Sequence, residues 1–123
     1  MSKPVIFLST DLIFSSRVAG AARNAQVDLT SASSVEAAVA RLTIEPASLV
    51  ILDLTLSKLN VADAVSRLKQ TSNEQAVLIA YAPHVHADVL KSAKEAGCDQ
   101  VLTRGQFDQQ IESILRTFAA PQE

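Results

Sequence analysis

The chain has 123 residues, 48% of them apolar, with 11 Lys and Arg against 13 Asp and Glu and a formal net charge of −2. This length and apolar content predict one domain over residues 1–123 with its own core, and a frayed tail at residues 120–123. The near-neutral charge balance argues against nucleic-acid binding. The lone Cys98, the lack of a signal-like N-terminus and the lack of an apolar run of about 20 residues predict a cytoplasmic protein without a membrane span.

Short apolar runs mark the predicted strands. Residues 5–8, 49–52 and 77–81 are bulky or β-branched and apolar on both alternating faces, which is typical of parallel strands covered by helices on both sides. Residues 26–30 and 100–103 mix polar and apolar side chains, and therefore predict two more peripheral strands.

Between these runs, apolar residues recur with the 3.6-residue period of a one-sided helix. Ser34 fits the N-cap of the second helix and Gly97 the end of the fourth. The predicted helices span residues 12–24, 34–44, 61–69, 87–96 and 108–118. Strict alternation of strands and helices predicts an α/β fold, a doubly wound (βα)5 sandwich whose five-stranded parallel sheet carries helices on both faces.

Polar residues follow several of the predicted strands. Asp11 comes shortly after the first strand, Asp53 directly after the third and Arg104 after the fifth, while Tyr81 ends the fourth. In a doubly wound sheet, ligands and chemistry lie beyond the carboxyl ends of the strands. Asp53 alone would fit a capping residue equally well, but the cluster of charged residues at neighbouring strand ends indicates a functional site.

Three segments carry a family resemblance. They are Phe7-Leu8-Ser9-Thr10-Asp11, Leu49-Val50-Ile51-Leu52-Asp53 and Ala93-Lys94-Glu95-Ala96-Gly97-Cys98-Asp99. Over essentially its whole length, the chain resembles the flavodoxin-like receiver domain of bacterial two-component response regulators. The resemblance implies a role in phosphorelay signal transduction and no enzymatic activity of its own.

The resemblance also implies a site. In the family, an acidic pair after the first strand and an acceptor Asp after the third bind Mg²⁺, while a Thr or Ser and a Lys contact the acyl phosphate. The acceptor matches Asp53 and the first acid matches Asp11. Other positions depart from the pattern: the second acid falls on Leu12, the Thr or Ser on Tyr81, the Lys on Arg104 and the aromatic residue of strand five near Val101.

These departures predict a weakened site. Mg²⁺ requires hard oxygen ligands, so Leu12 in place of a carboxylate predicts that metal binding by Asp11 and Asp53 is weak or lost. Phosphoryl transfer depends on cations that offset developing charge, so phosphorylation should be impaired as well. Because a guanidinium grips a carboxylate through two parallel hydrogen bonds, we expect Arg104 to bind Asp53 directly in place of metal or phosphate.

The resulting interpretation is an atypical receiver, or pseudo-receiver, that acts as a protein-interaction module. Its partner would be a histidine kinase, a phosphotransfer protein or an effector, and a homodimer through helix four, strand five and helix five is a further expectation from the resemblance. The candidate interaction residues on that face are Lys91, Lys94, Glu95 and Val101. The charged residues among them also fit a solvated helix face, which is the slightly favoured interpretation.

Two alternatives stay open. The first is a genuine phosphoacceptor response regulator that is phosphorylated on Asp53. The second is a small enzyme or a flavin- or nucleotide-binding protein of flavodoxin-like fold, which the lack of a glycine before Gly20 in the first loop disfavours. His84 and His86 lie two residues apart but have no third metal ligand nearby in sequence, so they are interpreted as solvated loop residues.

Overall fold

The computed structural model describes residues 3–72 and 75–119, so the predicted frayed tail at residues 120–123 lies outside the described residues. Strands and helices alternate along the described chain. They are β1 (Val5–Leu8), α1 (Leu12–Ala25), β2 (Leu29–Ala32), α2 (Val35–Ile44), β3 (Leu49–Asp53), α3 (Val61–Thr71), β4 (Val77–Ala82), α4 (Ala87–Ala96), β5 (Gln100–Thr103) and α5 (Arg104–Ala119).

The strands form one sheet in the order β2-β1-β3-β4-β5, and every neighbouring pair is parallel. Helices α1 and α5 pack on one face, and α2, α3 and α4 contribute to the core on the other. The predicted α/β fold class is therefore confirmed. Because β1 and β3 are covered on both faces, every residue of these two strands is buried.

The second strand lies further along the chain than the sequence predicted. It runs over Leu29–Ala32 rather than residues 26–30, because α1 extends to Ala25 and Gln26 forms its C-cap. Gln26 adopts the left-handed conformation with φ of 58°, and its N–H is directed at the carbonyls of Ala22 and Arg23. Gln26, the first residue of the predicted strand, therefore belongs to the helix end instead.

The last helix begins four residues earlier than predicted, at Arg104 rather than residue 108. The reason is a capping box. The N–H of Gln106 donates to Thr103 Oγ1 at 3.1 Å, while the N–H of Thr103 donates to Gln106 Oε1 at 2.9 Å. Arg104 is therefore the first residue of α5 and not part of a loop.

Two predicted helix ends are confirmed. Ser34 caps α2 by accepting a hydrogen bond from the N–H of Ala37 at 3.1 Å, and Gly97 ends α4 with a φ of 103°. The carboxylate of Asp99 then accepts from the N–H of Leu78 at 2.8 Å and ties the start of β5 to β4. Among the described residues, no helix has the length and apolarity needed to cross a bilayer.

Candidate functional site

The candidate site lies at the carboxyl end of the sheet, where β1, β3 and β4 end side by side. Asp53 is the last residue of β3 and pairs in register with Tyr81 of β4. On β1, Leu8 pairs with Leu52, so Ser9 comes next to Asp53. Since side chains alternate along a strand, all three point to the same face of the sheet, toward α1 and α5.

Hydrogen bonds engage both carboxylate oxygens of Asp53, whose exposed fraction is only 4%. Ser9 Oγ donates to Asp53 Oδ2 at 2.7 Å. The N–H and the hydroxyl of Thr55 both donate to Asp53 Oδ1, at 2.9 and 2.6 Å. Ser9 Oγ also accepts from the N–H of Asp11 at 3.1 Å, so the hydroxyl links two acidic residues. The buried carboxylate is thus satisfied by neutral donors of its own chain.

Asp11 has a different role from Asp53. It is the N-cap of α1, where its Oδ1 accepts from the N–H of Phe14 at 3.0 Å, and its Oδ2 pairs with the guanidinium of Arg104. The hydrogen bond from Phe14, together with the charge of Arg104, holds the pKa of Asp11 below its ordinary value. An acidic cap also offsets the partial positive charge at the N-terminus of α1.

The expected ion pair between Arg104 and Asp53 is wrong, because Arg104 pairs with Asp11 instead. The guanidinium carbon lies 4.9 Å from the centre of the Phe14 ring, a cation–π contact that draws the side chain toward the first turn of α1. Asp53 lies deeper, with its oxygens already engaged. Arg104 therefore connects α5 to α1 rather than to the end of β3.

Tyr81 is a core residue, with 2% of its side chain exposed. Its ring stacks on Phe107 with centroids 4.6 Å apart, and lies 5.5 Å from Phe14 and 6.4 Å from Phe7. The phenol oxygen has no hydrogen-bond partner in the described part of the chain. Burial, and next the negative charge of Asp53, raise the pKa of Tyr81 above its ordinary value. Close packing on three rings holds this side chain in place.

Sequence reasoning missed Ser9 and placed Leu12 in the site instead. Leu12 is 84% exposed on the first turn of α1 and takes no part in the contacts that hold Asp53. A signal for Ser9 was present, since it follows Phe7 by two residues just as Asp53 follows Ile51. The two-residue period of neighbouring strands places both on one face.

The donor set does not fit the magnesium ion that the family resemblance implies. Mg²⁺ requires near-octahedral oxygen ligands and releases its water reluctantly. Here the oxygens of Asp53 accept from Ser9 and Thr55, and those of Asp11 accept from Phe14 and Arg104. Within the described ranges, no group of three or more His, Cys, Asp or Glu side chains is arranged to hold a metal ion.

The candidate interaction residues lie along α4 and β5. Lys91, Lys94 and Glu95 are exposed on α4. Val101 is half-buried in β5, pairs in register with Ala80 and packs against the core on the α2, α3 and α4 face. His84 and His86 are exposed in the connection between β4 and α4. None of these residues donates a hydrogen bond to Asp53, whose partners are Ser9 and Thr55.

No protein-family model matches the chain, and no curated protein matches it. Many solved structures do. The receiver domain of NtrX from Brucella abortus is 16% identical, with a TM-score of 0.78 over 92% of this chain and 95% of that one. The chemotaxis protein CheY4 of Vibrio cholerae is 12% identical, with a TM-score of 0.80 over 96% of this chain and 99% of that one.

A third similar structure is the receiver domain of the sensor histidine kinase PA1611 from Pseudomonas aeruginosa, which has a magnesium ion coordinated in its active-site cleft. It is 13% identical, with a TM-score of 0.80 over 96% of this chain and 98% of that one. At such low identity these likenesses establish architecture alone. The chain therefore has the fold of response-regulator receiver domains.

Proposed function

We propose that the protein is an atypical receiver domain that works through protein contacts in a two-component or phosphorelay pathway, and that Asp53 is impaired as a magnesium-dependent phosphoacceptor. The observation that carries the proposal is the engagement of both Asp53 oxygens by Ser9 and Thr55. The receiver fold supports the signalling class, and the donor set at Asp53 supports the impairment.

The chemical argument concerns the attacking oxygen. A carboxylate that accepts a phosphoryl group needs one oxygen free to attack in line, with cations to offset the charge that develops on the phosphoryl oxygens. The hydrogen bond from Ser9 lowers the nucleophilicity of Asp53 Oδ2, and the two hydrogen bonds from Thr55 occupy both lone pairs of Oδ1. The nearby cation, Arg104, is committed to Asp11. This arrangement therefore weakens Asp53 as a nucleophile and leaves Arg104 engaged elsewhere.

No side chain near Asp53 in the described part of the chain is placed to signal phosphorylation by changing its conformation. This favours a protein whose partner-binding surface is present at all times. Tyr81 is fixed among three rings, and Val101 has no ring that could rotate.

We assign partner binding to the face formed by α4, β5 and α5, where Lys91, Lys94 and Glu95 are exposed. The partner is a histidine kinase, a phosphotransfer protein or an effector, and charges at the rim of such a contact determine partner choice more than affinity. We assign no catalytic activity to the chain.

The phosphorylation part is tested with acetyl phosphate and Mg²⁺, followed by intact-protein mass spectrometry. CheY4 of Vibrio cholerae is treated in parallel to test whether acetyl phosphate phosphorylates a protein of this fold. Asp53→Asn is the matched variant, because it lacks the acceptor carboxylate. We expect no phosphoryl adduct on the wild type. A near-complete adduct that disappears in Asp53→Asn would instead establish the genuine phosphoacceptor.

The partner part is tested by surface plasmon resonance against purified histidine-kinase dimerisation domains and phosphotransfer domains from the same genome. The variant Lys91→Glu/Lys94→Glu reverses two positive charges on α4. The control Lys58→Glu reverses one positive charge on the connection between β3 and α3. We expect the α4 variant to slow association with the partner and Lys58→Glu to leave it unchanged. An equal effect of both variants would exclude the α4 surface.

A further inference from the structure

The position next to Asp53 is fixed by the sheet. β1 and β3 run in register up to Leu8 and Leu52, so residue 9 is the first residue beyond β1 and reaches Asp53. The 2.7 Å hydrogen bond from Ser9 Oγ to Asp53 Oδ2 shows that a side chain at this position contacts the carboxylate directly. Thr10 follows and is exposed, and Asp11 already belongs to the cap of α1.

We propose that Ser9 and Thr10, the two residues that follow β1, determine whether this site accepts a divalent cation, and that their hydroxyl groups in place of carboxylates leave it without one. The inference rests on the proposed function, because it explains why the donor set at Asp53 does not fit Mg²⁺. It replaces the sequence-based expectation that the missing acid is at Leu12.

The physical reason is the direction of the Ser9 hydrogen bond. A hydroxyl can donate to a carboxylate, and here it removes the need for a cation beside Asp53. A carboxylate at residue 9 is an acceptor only, so two negative groups would meet at the end of β1 and β3. Such a pair is stable only when a proton or a cation lies between them. A second carboxylate at residue 10 adds another hard oxygen ligand.

Leu12 cannot have this effect, although the resemblance places an acid there. It belongs to the first turn of α1, and 84% of its side chain is exposed to solvent. Two residues of loop and the capping residue Asp11 separate it from the end of β1. A carboxylate at Leu12 would therefore remain hydrated and apart from Asp53, which makes Leu12→Asp the matched control.

The experiment introduces Ser9→Asp/Thr10→Asp, Thr10→Asp alone and the control Leu12→Asp, and records melting temperatures with and without Mg²⁺. Because Thr10 is exposed, its single variant should fold even if the double variant requires the metal. At Mg²⁺ tenfold above its dissociation constant, we expect the double variant to melt about 4–8 °C higher than without metal. Thr10→Asp should respond in the same direction but more weakly, while the wild type and Leu12→Asp should not respond.

Mn²⁺ gives an independent readout, since its unpaired electrons broaden the amide NMR signals of nearby residues. In the double variant we expect selective broadening at residues 9–11 and 53–55. The inference would be overturned if neither Ser9→Asp/Thr10→Asp nor Thr10→Asp responded to the metal ion, or if Leu12→Asp did respond. Either result would leave the proposed function intact. Site-specific binding of Mn²⁺ by the wild type would contradict both the inference and the impaired phosphoacceptor.

Discussion

The two faces of the sheet are built from different side chains. The face toward α1 and α5 holds the large rings, with centroids 4.6–6.4 Å apart; they are Phe7, Phe14, Tyr81 and Phe107. The face toward α2, α3 and α4 is packed by aliphatic side chains and many alanines. Ser9 and Asp53 point to the ring-bearing face, so the candidate site lies above a cluster of closely packed aromatic rings.

Along each strand, successive side chains point alternately to the two faces of the sheet. In β3, Leu49 and Ile51 pack on the aromatic side and Val50 and Leu52 on the aliphatic side, and Asp53 continues the first series. Arg104 lies over the Phe14 ring and connects the aromatic side to the polar contacts above it. Ser9 and Asp53 therefore lie over one side of the core only, and substitutions on each side can test whether the two sides act independently.

The largest expected effect comes from Phe107→Ala, compared with Leu68→Ala on the aliphatic face. Both side chains are fully buried, so we expect losses of about 3–5 and about 2–5 kcal/mol in the free energy of unfolding, measured by urea denaturation. Of these two residues, only Phe107 stacks on Tyr81, the single tyrosine of a chain without tryptophan. Phe107→Ala should therefore alter tyrosine fluorescence of the folded protein, whereas Leu68→Ala should not. Equal fluorescence changes would mean that the two faces are not independent.

The next effect concerns the hydroxyl that contacts Asp53. Ser9→Ala removes a buried hydrogen bond to a carboxylate, and we expect a loss of about 1.5–3 kcal/mol in urea denaturation. The adjacent Thr10→Ala, at an exposed position, should change stability by no more than about 0.5 kcal/mol. If the two variants unfold at the same urea concentration, the Ser9 contact contributes nothing to stability.

A smaller difference separates two ion pairs that join α1 to α5. Arg17 pairs with Asp108 at 2.5 Å, and Arg104 pairs with Asp11 while also lying over Phe14. An exposed ion pair contributes about 0.2–1 kcal/mol. We expect Arg104→Ala to destabilise the protein more than Arg17→Ala by about 0.5–1 kcal/mol, the contribution of the cation–π contact. Indistinguishable melting temperatures would show that the ring contact adds no stability.

Acid titration can isolate the charge of Asp11. Its pKa is lowered in the folded protein, so the stability it contributes is present above its unfolded pKa of about 3.9 and is lost as pH falls through the lower folded value. Asp11→Asn keeps the capping hydrogen bond but removes the charge. We expect this variant to be less stable than wild type at neutral pH, with the gap narrowing in acid; a gap independent of pH would contradict this assignment.

The fold was largely predictable because hydrophobic period and helix caps are local properties. The burial of β1 and β3 and the cap at Ser34 follow from adjacent residues. The errors arose where two local signals compete. The end of α1 at Gln26 displaced the predicted second strand, and the capping box at Thr103 extended α5 toward the sheet.

The site was less predictable because its partners depend on register between distant segments. Asp53 was expected directly after the third strand and is its last residue, but a motif alignment placed Asp11 and Leu12 where the sheet places Ser9. The partner of Arg104 could not be read from chain order, since Asp11, after β1, and Asp53, at the end of β3, lie at the same edge of the sheet. The ring of Phe14 beneath it favours Asp11.

The smallest expected effect is also the least intuitive, because it removes a polar atom beside the site. The hydroxyl of Tyr81 is buried without a hydrogen-bond partner in the described residues, and such a group costs stability rather than adding it. Tyr81→Phe should therefore leave stability at neutral pH unchanged or raise it by up to about 1 kcal/mol.

Above about pH 10 the unfolded wild type releases its phenol proton while the folded protein retains it, so wild-type stability falls as pH rises. Tyr81→Phe removes this part of the alkaline loss. A clear destabilisation at neutral pH would instead show that the hydroxyl takes part in the contacts around Ser9 and Asp53.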